Sequence, residues 1–415
     1  MQNKKLSTII LLICLAIAVS CDNKIRNNIN DPLGRTYLGN IHINPSIHQL
    51  SEKVYNAVKA KGENFAVSSA SIFFCLSMLL EGAEDDNLRE LAKFLRSPIE
   101  PRARRQTMER LLDGLNEVID GQSFDENYNR VRVDAFKSMV ANSVWVDSKL
   151  QIKDSFKNIL QKVYHAEAIN SDFSNPMTVN HVNEWVNINT NGLIPKVLDS
   201  IDRDTVMILI NTLYFKARWL NPFTKESTRP DIFNTIDGKT VQKNYMGQFR
   251  MRANLWKSQD SDYLLLPYQS GKHAMLIKFG NNALEHVAQS VINELGSSSS
   301  STLINLIMPK FDYNTDVDLV PILRRYGVNS IFTPSRTGFK GITDRQELFV
   351  GGVLHKTKII TDELGTEAAA VTMVSVGTTS VQMDDPIEVR LDRPFSYYIV
   401  DTEKKMILFA GALVK

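Results

Sequence analysis

The chain has 415 residues, 43% of them hydrophobic, with 48 basic against 46 acidic side chains and a formal net charge of +2. That composition supplies a large core and argues against a nucleic-acid-binding surface spread over the whole molecule. Length alone suggests two or three domains, yet no charge block, Pro-rich linker or repeat divides the chain.

The first residues read as an export signal. "MQNKKLSTIILLICLAIAVSC" has a basic start at Lys4 and Lys5, an apolar run from Ile9 to Val19, then Ser20 and Cys21. The run is short for a membrane span and has the plan of a signal peptide over residues 1–20. Cys directly after a small residue resembles a bacterial lipoprotein signal, with Cys21 as the lipid attachment point; simple cleavage after "AVS" also fits. Residues 21–40 then form a polar tether, and the protein is exported, either membrane-anchored or secreted. Cys75 is the one cysteine beyond residue 21, so the expected domain, residues 41–415, has no internal disulfide.

Helices are predicted first. "SASIFFCLSMLLEGAEDDNLRELAKFL" spaces Ile72, Cys75, Leu76, Leu79, Leu80 and Ala83 as a buried helix face, with a second helix following. Residues 100–135 read as an amphipathic helix and then a polar loop. Arg102, Arg104 and Arg105 at its start suit a polyanion, but a solvated charged helix start is the preferred reading. Extended runs come next: "MVANSVWV", the nearly continuous apolar "TVMILINTLYFKARW", "YLLLPY", "HAMLIKF" and "TLINLIMPKF", the last preceded by "GSSSSS". The end is "LFVGGVLHKTKII", a long uncharged segment, "IEVRL", "FSYYIVD" and "MILFAGALV". Helices before strands predict an α+β fold.

Nothing in the chain points to catalysis. The seven His form no zinc-binding pair with an intervening Glu, there is no Cys cluster, and no nucleophile elbow, Walker or dinucleotide pattern occurs. The expectation is therefore no enzyme, no metal and no cofactor. Asn211 and His355 do stand out, each a polar residue inside an apolar strand run. Unsatisfied, either costs about 1–3 kcal/mol, so each is bonded to backbone or the two belong to one buried cluster.

The C-terminal motifs "VLHKTKIITDELGTEAAAVT", "EVRLDRPFSYYIVD" and "ILFAGALV" resemble those of the serpins, the serine protease inhibitor superfamily. "NFAVSSASI", "LSMLLEGA", "YHAEAINSDF", "VNEWVNINTNGLI", "YMGQF" and "LIMPKFDY" fall in the family's order, so the resemblance runs from about residue 40 to the end. It implies a single domain of about nine helices and three β-sheets with an exposed reactive-centre loop over about 363–390. It also implies a cluster of Ser68, Ser71, Asn211 and His355 where the central sheet opens, with Trp219 near the top of that sheet. Ser69 stands where the family usually has Pro, Asp85 where it often has Gly, and Gly351 where it often has Ser. These departures bear on stability and sheet opening more than on the fold.

By the resemblance, the uncharged segment acts first as bait for a protease and then as an added sheet strand. Alternation sends Thr366, Ala368, Ala370, Thr372, Val374 and Val376 inward, all uncharged, and leaves Glu367 and Ala369 on the outer set. Glu363, Gly365, Thr366, Glu367, Ala368, Ala369 and Ala370 form the hinge, where Gly365 provides backbone freedom. About a dozen residues joining the sheet, at roughly 0.5–1.5 kcal/mol per hydrogen bond, give on the order of 10 kcal/mol. The family's spacing of fourteen residues from the hinge glycine places the reactive bond at Thr379–Ser380. No Lys or Arg lies between Lys358 and Arg390, so the expected targets are elastase-like or subtilisin-like, not trypsin-like. The alternatives are a papain-like cysteine protease as target, or a non-inhibitory carrier or chaperone. Expected partners are target proteases and, through the lipid, a membrane, with the chain acting as a monomer.

Overall fold

The computed structural model describes residues 43–112, 116–124, 130–295, 301–344, 347–366 and 385–415. It begins with α1 (Ile43–Lys59), the short strand β1 (Phe65–Val67), α2 (Ser69–Leu80), α3 (Asp85–Leu95) and α4 (Pro101–Leu112). Strands β2 (Glu117–Phe124) and β3 (Arg130–Asp147) follow, then α5 (Asp154–Tyr164), β4 (Glu167–Ser171) and α6 (Met177–Asn189). Strands then dominate: β5 (Met207–Arg218), β6 (Arg229–Asn234), β7 (Thr240–Lys257), β8 (Asp262–Pro267) and β9 (His273–Phe279). After α7 (Gln289–Glu294) come β10 (Thr302–Pro309), β11 (Phe311–Asp318) and α8 (Val320–Arg325). The chain ends with β12 (Gly352–Thr361), β13 (Gly365–Thr366), β14 (Ile387–Arg390), β15 (Phe395–Asp401) and β16 (Met406–Leu413). This is the expected α+β order, with eight α-helices among the described residues.

The described strands form two hydrogen-bonded sheets. One has seven strands in the order β11-β12-β13-β5-β3-β2, with β4 also on β3. The other has nine, β1-β16-β15-β9-β8-β7-β10-β14, with β6 on β7. The expected third sheet is the β6, β7, β10 and β14 part of this second one: β7 is continuous, pairing with β6 and β10 along most of its length and with β8 through its last residues.

Every residue of α2 is buried, Cys75 included, because the helix is packed against β3, β5 and β16. Ser68 caps it, its Oγ accepting the Ser71 N–H at 3.2 Å. Ser69 is the first helical residue, where proline is tolerated best because that N–H has no intrahelical partner. Asp85 has φ 50°, the left-handed conformation that glycine adopts freely and Asp tolerates. At Gly351 an added Cβ would lie 2.8 Å from Thr205 Cγ2, so a side chain there has to displace that methyl group.

The polar loop expected before residue 135 is instead largely strand. Residues 117–124 pair antiparallel with 130–138, so the stretch becomes an edge hairpin on the seven-stranded sheet. Its polar residues satisfy the outer edge of a strand whose apolar half lies deeper in the sheet, an arrangement that composition conceals. On β3, β2 pairs as far as Ser138 and β4 begins at Ser143.

Candidate functional site

Strands β12 and β5 meet in two different ways. At one end they pair directly and in parallel, Gly352–His355 against Ile208–Asn211. At the other end β13 lies between them, antiparallel to both: Thr366 opposes Thr361 of β12 and Ala217 of β5, and Gly365 opposes Arg218. The direct ladder stops at the His355–Asn211 pair. Beyond it, residues 356–360 and 212–216 flank the line on which β13 lies.

The end of that ladder is fastened by buried polar groups. His355 Nε2 accepts the Ser68 N–H at 3.0 Å, which puts the ring proton on Nδ1, 2.7 Å from Asn211 Oδ1. Asn211 Nδ2 donates to Ser71 O at 2.8 Å, to Ser71 Oγ at 2.5 Å and to Asn142 Oδ1 at 2.5 Å. Ser68, Ser71, Asn211 and His355 are thus brought together, each 0–1% exposed. Burial lowers the His355 pKa from 6.5 to about 3, so the imidazole is neutral at pH 7. The network needs that state, since a protonated Nε2 has no lone pair for Ser68.

Asn142 was missed from the sequence. It sits on β3 directly opposite Asn211, and its own Nδ2 is buried without a partner. The signal was available, because "MVANSVWV" carries an Asn in an apolar strand just as "MILINTLYF" does.

The other end, at β13, is built differently. Trp219 Nε1 donates to Asp362 O at 3.0 Å, and the Trp219 N–H to Leu364 O at 2.9 Å. The Trp219 ring stacks on Tyr268 with centroids 4.7 Å apart, and the Tyr268 hydroxyl lies 2.8 Å from Thr366 Oγ1. Thr366 is buried, and an added Cβ at Gly365 would lie 2.0 Å from Ala217 O, so glycine is required for close approach as well as for freedom. Glu363 accepts from Lys310 Nζ at 2.7 Å and from Thr228 Oγ1 at 2.6 Å. Burial alone would raise its pKa; those two donors outweigh burial and hold the carboxyl below its ordinary value. Tyr268, Lys310 and Thr228 have no local signature, being 98, 53 and 135 residues from their partners.

Arg104 and Arg105 do not offer a polyanion site. Arg104 Nε lies 2.8 Å from Glu81 Oε1 and Arg105 Nη2 lies 2.7 Å from Glu81 Oε2, with the Glu81 side chain fully buried and that of Arg104 2% exposed. Tyr164 also donates to Glu81 Oε1 at 2.9 Å. The arginines tie α4 to the end of α2, and Arg102 alone remains exposed without an ion pair among the described residues.

Cys21, the signal and tether over residues 1–40, Glu367 to Ala370, and the Thr379–Ser380 bond lie outside the described residues.

A family model described as serpin (serine protease inhibitor) matches residues 45–415. Human neuroserpin is 26% identical over 394 residues, covering 89% of this chain and 90% of that protein. Among solved structures, Serpin48 of the insect Tenebrio molitor has TM-score 0.76 at 25% identity and covers 90% of this chain and 98% of its own. A thyroxine-binding globulin solved with thyroxine shares the fold, with TM-score 0.75 at 22% identity over 89% of this chain and 99% of its own. Chain-wide agreement of the family model and the fold leads to one conclusion: the protein belongs to the serpin family.

Proposed function

We propose that the protein is an irreversible suicide-substrate inhibitor of endopeptidases, elastase-like or subtilisin-like rather than trypsin-like. The observation that carries this is the position of Gly365 and Thr366. They already form a strand between β12 and β5, and beyond Glu367, which falls on the outer set, the chain continues into the uncharged residues 368–383. A protease serine attacks the reactive bond at Thr379–Ser380 and forms its ordinary acyl-enzyme. The cut frees the segment to extend β13 between β12 and β5, and the ladder fastened at His355–Asn211 has to part. The tethered protease is carried along and its site distorted before water deacylates it; the uncleaved fold is held only kinetically.

The fold by itself does not decide between inhibition and carriage, since the thyroxine-binding globulin has it too. The hinge composition favours inhibition, because no bulky, charged or Pro residue interrupts the inward set from Thr366 to Val376. Incubation with a subtilisin and an elastase should give a complex that survives denaturing electrophoresis, releasing a peptide that begins at Ser380. Cleavage without complex refutes inhibition; a different first residue moves only the reactive bond. A papain-like enzyme in the same panel tests the cysteine-protease alternative. A lipid on Cys21 holds the protein at a membrane in this reading, so Cys21→Ala should release it into the soluble fraction.

A further inference from the structure

One break interrupts the pairing of β7 with β10. Gln248 opposes Leu306 and Met251 opposes Ile304, so Phe249 and Arg250 together face the single residue Asn305. This is a β-bulge, and Arg250 stands in it with φ 54°, a conformation non-glycine residues avoid. Asn305 ties the bulge to β14: its Oδ1 accepts the Arg250 N–H at 2.9 Å, and its Nδ2 donates to Glu388 of β14 at 2.5 Å.

The bulge turns two consecutive side chains outward. Leu306 and Ile304 are fully buried, so their partners Gln248 and Met251 occupy the inner face. Phe249 is 58% exposed, the only aromatic among the large exposed apolar residues described, and its ring rests against Gly247. Arg250 and Arg252 are exposed beside it on β7, and Arg229 is exposed on β6 opposite Tyr245; none has an ion pair among the described residues, and Arg252 donates only to Ser301 O. Arg390 differs, being engaged by Asp231 and Asp392. Two strand spacings separate the bulge from Glu388, about 10 Å, and β14 is the strand that the segment 367–384 enters.

We propose that the Phe249–Arg250 bulge is a second docking surface for the target protease. It fits a protease whose rim beside the substrate cleft offers an apolar seat ringed by carboxylates. Continuity with the bait loop and three uncompensated guanidinium groups favour this occupant. The inference rests on the inhibitory reading above.

The test is the second-order rate of inhibition, measured at several salt concentrations against a panel of subtilisin-like and elastase-like proteases. Phe249→Ala should slow inhibition of acid-rimmed enzymes about tenfold, and Phe249→Tyr should keep most of the rate. R250E and R252E should slow it about tenfold and flatten its salt dependence. Stoichiometry of inhibition and melting temperature should not change. Rates within twofold of wild type for every inhibited protease overturn the proposal. So does a loss at Phe249→Ala accompanied by a lower melting temperature while R250E is silent, because Phe249 then merely covers Gly247. Weaker retention of R250E and R252E on dextran sulfate, with unchanged rates, would assign the face to a polyanion instead. A wild-type chain that traps no protease removes the inhibitory reading itself, which is a distinguishable failure.

Discussion

His355 and Asn211 are paired twice over: they are register partners at the last position of the direct β12–β5 ladder, and their side chains are 2.7 Å apart. In the proposed insertion, the bond that ends the ladder is therefore the first that must break as a new strand extends past Thr366. Replacing Asn211 with Ala removes the donor shared by Ser71 and Asn142 and leaves His355 Nδ1–H unpaired in a dry site. A loss of about 1–3 kcal/mol is expected, visible as a lower melting temperature of the uncleaved protein. An unchanged melting temperature would show that the cluster does not fasten the sheet.

The same histidine sets a pH dependence. His355 is lowered to about 3, as is His286, and His48 and His273 to about 4, burial being the largest cause in each. A histidine with a depressed native pKa takes up its proton more readily when unfolded. Its contribution to stability is full above the unfolded value of 6.5 and declines as pH falls from there toward 3. For His355 at pH 5 the decline is about 2 kcal/mol. Denaturant midpoints should therefore drop between pH 7 and pH 5, and His355→Gln should reduce the drop.

Ser69 offers the opposite case. Its Oγ is buried without a partner, it is the first residue of α2, and Ser68 before it has φ −107° and ψ 97°, which a following proline accepts. Ser69→Pro should stabilise the uncleaved protein by about 0.5–1 kcal/mol. The effect is read as a rise in denaturant midpoint.

At Glu81 the expectation is severe. Glu81→Gln leaves Arg104 buried without its carboxylate, and removing one partner of such a pair costs about 3–5 kcal/mol. Expression or melting temperature should fall sharply, whereas exposed Arg102→Gln should be silent.

Thr366 separates insertion from docking. It is buried against Tyr268, so Thr366→Arg would have to place a charge there. The variant should still be cleaved in the loop but should no longer trap the protease, a change read as a large rise in stoichiometry of inhibition.

Much of this was legible in the sequence, and the limits were physical. Asn211 and His355 declared themselves as polar residues in apolar strands, and Asn142 carried the same signal unnoticed. The departures at Ser69, Asp85 and Gly351 became intelligible only with backbone angles and neighbours in place. Arg104 misled because burial of an arginine depends on a carboxylate 23 residues away. The β2–β3 hairpin misled because an edge ribbon has the composition of a loop.

In the proposed mechanism, the uncleaved fold holds back a strand that the sheet can accept. Thermal unfolding before and after a single cut in the segment 367–384 tests it directly. Insertion of about a dozen residues predicts a rise in melting temperature on the order of 20 °C or more. A cleaved protein that melts at or below the temperature of the intact one would contradict that mechanism.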